Sequence, residues 1–166
     1  MRVPKISKVT VNMGIGEGGE RLANAETLLE NLTGRKPKRT FAKVTEPNFG
    51  IRKGLPIACV VTLRNDAAGK FLEKAFGAID KKLETSRFDE FGNVSFGIKE
   101  HIDIPGEKYD PKVGIFGMDV CLTIERPGYS IKRRNPRSAK PSPKHLLKRE
   151  DSIEFLKSKY GIIVEG

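Results

Sequence analysis

Three stretches of the chain alternate between apolar and polar positions. Val9, Val11 and Met13 alternate with Lys8, Thr10 and Asn12. Ile57, Cys59, Val61 and Leu63 alternate with Ala58, Val60, Thr62 and Arg64, and Met118, Val120, Leu122 and Ile124 with Asp119, Cys121, Thr123 and Glu125. A period of two marks a strand with one buried face. Lys38–Lys43 reads as a basic strand, and Val94–Ile98 as a further one.

A second period interrupts the first. Leu22, Ala25, Leu29 and Leu32 recur at helical spacing and stop at Thr33-Gly34, with Gly34 as the expected C-cap. Phe71, Leu72, Ala75, Phe76, Ile79 and Leu83 lie on one side of a second predicted helix. A short third helix is expected over 151–160, with Asp151 as N-cap, Glu154 at the capping-box position and Gly161 as its stop. Between these elements lie a glycine turn at 14–19, a loop over Val44–Gly54, a polar turn over Thr85–Gly92 and a turn-rich crossing over Pro105–Pro111. Pro127-Gly128 ends the last long strand. The pattern predicts an α+β fold: a mainly antiparallel sheet with the helices packed on one face and long basic loops. One domain over 1–166 is expected, with a flexible basic loop at about 126–149 before the C-terminal helix.

The balance of 37% hydrophobic and 31% charged residues in 166 suits one globular core. The longest apolar run, Ile57–Val61, is far short of the roughly 20 residues that span a bilayer, and no membrane partner is expected. Met1–Lys8 lacks the apolar core of a secretory signal. Cys59 and Cys121, each in an apolar stretch, are expected to be buried reduced thiols, which points to the cytosol.

The net charge of +10 changes the picture more, because it is segregated. Residues 31–64 hold eight Lys and Arg against the single carboxylate Glu46, and 126–149 hold nine against none. Like charges gathered this way call for an external anion, most commonly a polyphosphate backbone. The polar sides of the strands would carry Lys8, Thr10, Asn12, Thr62 and Arg64, a flat face of hydrogen-bonding groups able to lie along RNA and meet its phosphates and 2′-hydroxyls.

Enzymatic chemistry finds little support. Gly14, Gly16 and Gly19 match the spacing of a dinucleotide-binding turn, the alternative reading. The region some twenty residues on, Gly34–Arg39, lacks both the acidic residue and the apolar strand that such a site needs. His101 and Asp103 could share a strand face, yet no nucleophile or metal-ligand trio accompanies them, and His101 is expected to be structural. His145 lies among cations, where phosphate contact is expected; Ser142 is a loop serine. No catalytic residue, metal or cofactor is expected.

With these residues in view, the chain resembles the large-subunit ribosomal protein five family, the universal 5S-rRNA-binding family, in its archaeal or eukaryotic form. The matching stretches are Ile6–Glu17, Leu32–Pro37, Phe49–Gly54, Val61–Arg64, Phe91–Ile98, Glu100–Asp103 and Tyr109–Asp119, collinear from about residue 2 to about 164. The resemblance implies a ribosome-bound, cytoplasmic, non-enzymatic protein that binds 5S rRNA in the central protuberance of the large subunit. It further implies contact with large-subunit rRNA, P-site tRNA, neighbouring ribosomal proteins and the head of the small subunit. Carried over by position, Asn12 and Thr62 match residues that meet 5S rRNA. Arg35 replaces the Gln usual in the family, so a phosphate contact is expected there in place of the amide hydrogen bonds, and Arg35, Lys36 and Arg64 complete the expected 5S rRNA-binding set. The loop Ala42–Gly54 resembles the one directed at P-site tRNA, with Lys43, Arg52 and Lys53 as its cations. The basic window, including Lys132, Arg133, Arg134, Arg137 and Lys140, is similar to a segment found in archaeal and eukaryotic members and suggests further RNA contacts.

Overall fold

The computed structural model describes residues 2–106, 109–111 and 113–165. The strands are Lys5–Gly14 (β1), Lys38–Phe41 (β2), Pro56–Leu63 (β3), Lys82–Glu84 (β4), Val94–Ile98 (β5), Met118–Glu125 (β6) and Ile163–Glu165 (β7). The helices are Glu20–Thr33 (α1), Asn65–Ala78 (α2), Ser130–Arg133 (α3) and Arg149–Tyr160 (α4). Among the described residues, β2, β3, β1, β6 and β5 lie side by side in that order, each neighbouring pair antiparallel. The predicted α+β class and the mainly antiparallel sheet are therefore what the chain forms.

Alternation sorts the strands into two faces. Val9, Val11 and Met13 of β1, Val61 and Leu63 of β3, and Val120, Leu122 and Ile124 of β6 are all 0–4% exposed and form one side. Full burial of each such side chain is worth about 1.5–3 kcal/mol against leaving it in water. Leu22, Leu28, Leu29 and Leu32 of α1 and Phe71, Leu72 and Phe76 of α2 complete this core. The Phe76 ring stacks on Phe96 of β5 with centroids 5.5 Å apart and meets Tyr160 of α4 at 5.2 Å, so α4 shares the face of α2.

The termini of the helices follow local chemistry. Gly34 ends α1 in the left-handed region (φ 66°), its N–H bonded to the Glu30 carbonyl at 2.7 Å, as expected for a glycine C-cap. The second helix is shorter than its apolar period predicts. It stops at Ala78; Asp80 and Lys81 turn back at φ 51° and 58°, and Leu83 enters the core from β4. Leu83 is held there because β4 pairs in parallel with β7, Leu83 opposite Val164. The C-terminal helix begins at Arg149, so Asp151 is its third residue rather than its N-cap. From that position its carboxylate accepts the Lys148 N–H at 3.1 Å, satisfying a free donor of the first turn.

Other expectations need correction. The segment Thr85–Gly92 opens with a short 3-10 turn and buries Phe88 at 2% exposure. His101–Asp103 is a 3-10 turn, not part of a strand. Of the crossing over 105–111 and the motif 109–119, Glu107, Lys108 and Lys112 lie outside the described residues.

Candidate nucleic-acid interface

Among the described residues, the long helices α1, α2 and α4 leave the other side of the sheet open, and only at its Lys5 end do α3 and the arm that follows stand over Lys8, Thr123 and Glu125. The strand registers place Lys38, Val60, Asn12, Asp119 and Gly97 in one row over five adjacent strands. Thr62, Thr10, Cys121 and Ser95 form the next row, and Lys8 stands beside Thr123 beyond it. With strands about 4.8 Å apart, a five-strand row is roughly 19 Å wide. Most of these side chains are short, so the backbone beneath stays close to any surface laid on it. Asn12 is half-buried, while Thr62, Asp119, Cys121 and Ser95 are exposed. The predicted face of Lys8, Thr10, Asn12 and Thr62 is thus one continuous surface. Arg64 departs slightly: it stands one residue past β3, immediately before α2, and its Nη1 donates to the Ser7 carbonyl of β1 at 3.3 Å.

Two basic segments flank this surface at opposite ends of the strands. At the Gly14 end, β2 and β3 continue into a hairpin over 42–55. Ala42 N–H bonds to the Leu55 carbonyl and Gly54 N–H to the Ala42 carbonyl, both at 2.9 Å. Glu46 and Ile51 bridge nearer the tip, and Lys53 N–H donates to Thr45 Oγ1 at 3.0 Å. This ladder holds Lys43, Arg52 and Lys53 exposed on one structured finger, with Phe49 78% exposed at its tip. Arg35 and Lys36 lie exposed in the short strap between the Gly34 cap and β2, at the sheet edge where Lys38 enters its row.

At the Lys5 end, β6 runs into the arm 126–149. The arm is rooted twice. Arg126 Nη2 donates to Asp151 Oδ2 at 2.9 Å, and Leu147 enters the core at 2% exposure. Between these roots Lys132, Arg133, Arg134, Arg137 and Lys140 are all exposed. The expectation that His145 faces phosphate is displaced: its Nε2–H donates to the Pro127 carbonyl at 2.9 Å, closing the base of the arm.

The positive windows are less naked than their composition implies. Arg39 forms a two-pronged pair with Glu26 of α1, Nη2 to Oε2 at 2.9 Å. That hydrogen bond, with the charge of Arg39 and Lys36, outweighs desolvation and holds the Glu26 carboxyl below the usual carboxylate range. Arg126 pairs with Asp151 and Arg133 with Glu125. Arg35, Lys36, Lys43, Arg52, Lys53, Lys132, Arg134, Arg137 and Lys140 make no ion pair among the described residues. An external anion remains the natural counterpart for these.

The thiols separate as the strand alternation requires. Cys59 faces the core at 0% exposure, and burial pushes its thiol up to about 11. Cys121 is exposed on the open face, contrary to the expectation of two buried thiols, because it alternates with Val120 and Leu122. His101 is structural, as expected: it is 1% exposed and its Nδ1 accepts the Phe116 N–H at 3.3 Å.

The dinucleotide reading fails on topology. It needs a parallel partner for β1, and both neighbours, β3 and β6, are antiparallel. The Ile15 and Gly16 amides that would face a pyrophosphate are bonded to the Ile57 carbonyl at 3.0 and 2.9 Å. Among the described residues no group of three His, Cys, Asp or Glu side chains is placed to hold a metal, and no helix is long and apolar enough to cross a membrane. The exposed aromatics Phe49 and Phe91 are not singled out by the sequence reading. The signal for both is an aromatic followed by glycine inside an otherwise polar turn.

Comparison with known proteins agrees in extent with this architecture. Residues 1–52 match the model of Ribosomal protein L5, and 56–155 match the model of that ribosomal family's C-terminus. The large ribosomal subunit protein uL5 of Methanococcus aeolicus is 53% identical over 99% of this chain and 93% of its own length. Those of Methanosphaera stadtmanae and Methanococcoides burtonii are each 50% identical over 99% of this chain and 98% of their own.

Proposed function

This chain belongs to the L5 family of large-ribosomal-subunit proteins, a structural component of the ribosome rather than an enzyme, and from that premise we propose how its surface divides the work of binding RNA. The open sheet face binds 5S rRNA and helps attach it in the central protuberance. Asn12 and Thr62 offer hydrogen bonds to bases, 2′-hydroxyls and phosphates, while Arg35, Lys36 and Arg64 neutralise phosphate along the margins. The hairpin 42–55, with Lys43, Arg52 and Lys53, faces P-site tRNA. The arm, through Lys132, Arg133, Arg134, Arg137 and Lys140, engages large-subunit rRNA. Neighbouring proteins of the central protuberance and of the small-subunit head complete the contacts, the latter as an intersubunit bridge.

The observation that carries this reading is the uncovered face itself. A sheet of five strands packs its long helices on one side, and among the described residues its free side presents mostly short polar groups between two segments whose cations are only partly paired. Water satisfies such a face well, so its exposure costs the fold little, and RNA can replace that water group by group.

Footprinting of 5S rRNA with the purified full-length protein tests it. The expected result at low salt is one compact protected stretch, weakening steeply as salt rises; protection absent throughout would contradict the proposal. Six to ten phosphate contacts would lower affinity by roughly 10³–10⁵ between 50 and 200 mM salt.

A further inference from the structure

We infer that the cleft between the turn at 89–93, the end of β6 and the basic arm is a seat for one unstacked nucleotide of ribosomal RNA. The inference rests on the RNA-binding reading above and adds a recognition site for a base, which that reading does not assign.

The cleft has a volume of about 680 Å³ and is walled by Phe91, Tyr129, Pro141 and Leu146. A pocket of about 300–1,000 Å³ is the usual size for a small organic ligand. Phe91 is 58% exposed, so more than half of its surface is open to the cleft and solvent. Its position is fixed from behind. Asn93 N–H and Nδ2 donate to the two carboxylate oxygens of Asp89 at 2.7 and 2.6 Å, closing the turn. Gly92 lies against α4 at φ 74°, where a Cβ would come within 2.0 Å of Ser152 Oγ, so only glycine lets the turn sit this close. Phe91 is thus presented on a rigid support.

The rim is cationic. Lys8, Lys132 and Lys140 line the cleft, and Glu125, the carboxylate that lines it among the described residues, is already paired with Arg133. Asn93, Thr123 and Ser142 add neutral donors and acceptors within it. An apolar protein segment would use Phe91 and leave the lysines unmatched; an isolated phosphate would use the lysines and ignore Phe91. A nucleotide uses both, its base face against the ring and its phosphate against the ammonium groups. The cleft is also continuous with the proposed 5S rRNA face, since Lys8 and Thr123 belong to both.

The test compares full-length variants binding to 5S and large-subunit rRNA transcripts across a salt series. Stacking is insensitive to salt, so Phe91→Ala should weaken binding about 5- to 150-fold, the effect of losing one stacked base, with the slope of log affinity against log salt unchanged. Phe91→Tyr should restore it. Lys140→Ala should instead lower the slope by about 0.7–0.9. Wild-type affinity in Phe91→Ala, with the Lys140→Ala effect intact, would overturn the cleft and leave the RNA-binding reading standing. Failure of the unmodified protein to bind either transcript would overturn both. A photoreactive benzophenone side chain at position 91 in assembled large subunits gives a second readout: attachment to RNA supports the nucleotide seat, and attachment to protein alone refutes it.

Discussion

The open sheet face and the arm 126–149 present opposite kinds of surface. The face sets short groups such as Thr10, Asn12 and Thr62 on strands whose other side is packed to almost zero exposure, so their positions are fixed by the core. The arm sets long cations on residues that are exposed from 132 to 140, tied to the body near the roots and by the Arg133–Glu125 pair. Hydrogen bonds need fixed geometry, whereas screened charge attraction tolerates movement. On the proposed function, discrimination among RNAs resides in the face, and salt-dependent affinity in the arm. The hairpin 42–55 stands between the two, with cations on a backbone that hydrogen-bonds across its own ladder.

The strongest break of this comparison comes at the face. Asn12→Ala and Thr62→Ala should each weaken 5S rRNA binding by about 0.5–3 kcal/mol, the range for a lost hydrogen bond, and leave the salt slope unchanged. Titrations of 5S transcript at several salt concentrations check this. Substituting Arg134, Arg137 and Lys140 together by Gln should act the other way, lowering the slope by roughly two to three while 5S preference is kept. Arg133→Gln alone should change the slope less, because Glu125 already neutralises that guanidinium. If the face variants altered the slope and the arm variants altered the preference, the roles would be reversed.

A smaller and local effect sharpens the same contrast. The arm has few internal backbone bonds, such as Ala139 N–H to the Ile131 carbonyl at 3.1 Å. Amide exchange across 132–144 should therefore be fast in the free protein and slow on RNA, with β1 protected in both states. Strong protection of these amides without RNA would show the arm to be as rigid as the face.

What the sequence makes legible follows from how local each cause is. The period of two in β1, β3 and β6 and the helical period of α1 each come from a single buried face, and those elements lie where the pattern puts them. Leu83 is misleading because it continues the apolar period of α2. Its true partner is Val164, about eighty residues away, and a three-residue strand has no period of its own. Cys121 is misleading because cysteine is commonly buried, though its place between Val120 and Leu122 already assigns it to the open side. The place of Asn12 and Thr62 on the open face is legible from parity, whereas their choice as RNA contacts comes from the family resemblance. The pairings of Arg39 with Glu26 and Arg133 with Glu125 are not, since they join separate elements. Phe91 matters only once the arm folds across it.

Cys121 supplies the most direct test of the claim that the open face is the RNA-binding face. It lies in the row between Thr10 and Ser95, while Cys59 is sealed in the core. Alkylation of the free folded protein with iodoacetamide, read by mass spectrometry, should modify Cys121 and spare Cys59. The same reaction on the 5S rRNA complex should leave Cys121 protected as well. Undiminished labelling of Cys121 with the RNA fully bound would place the interface elsewhere on the molecule.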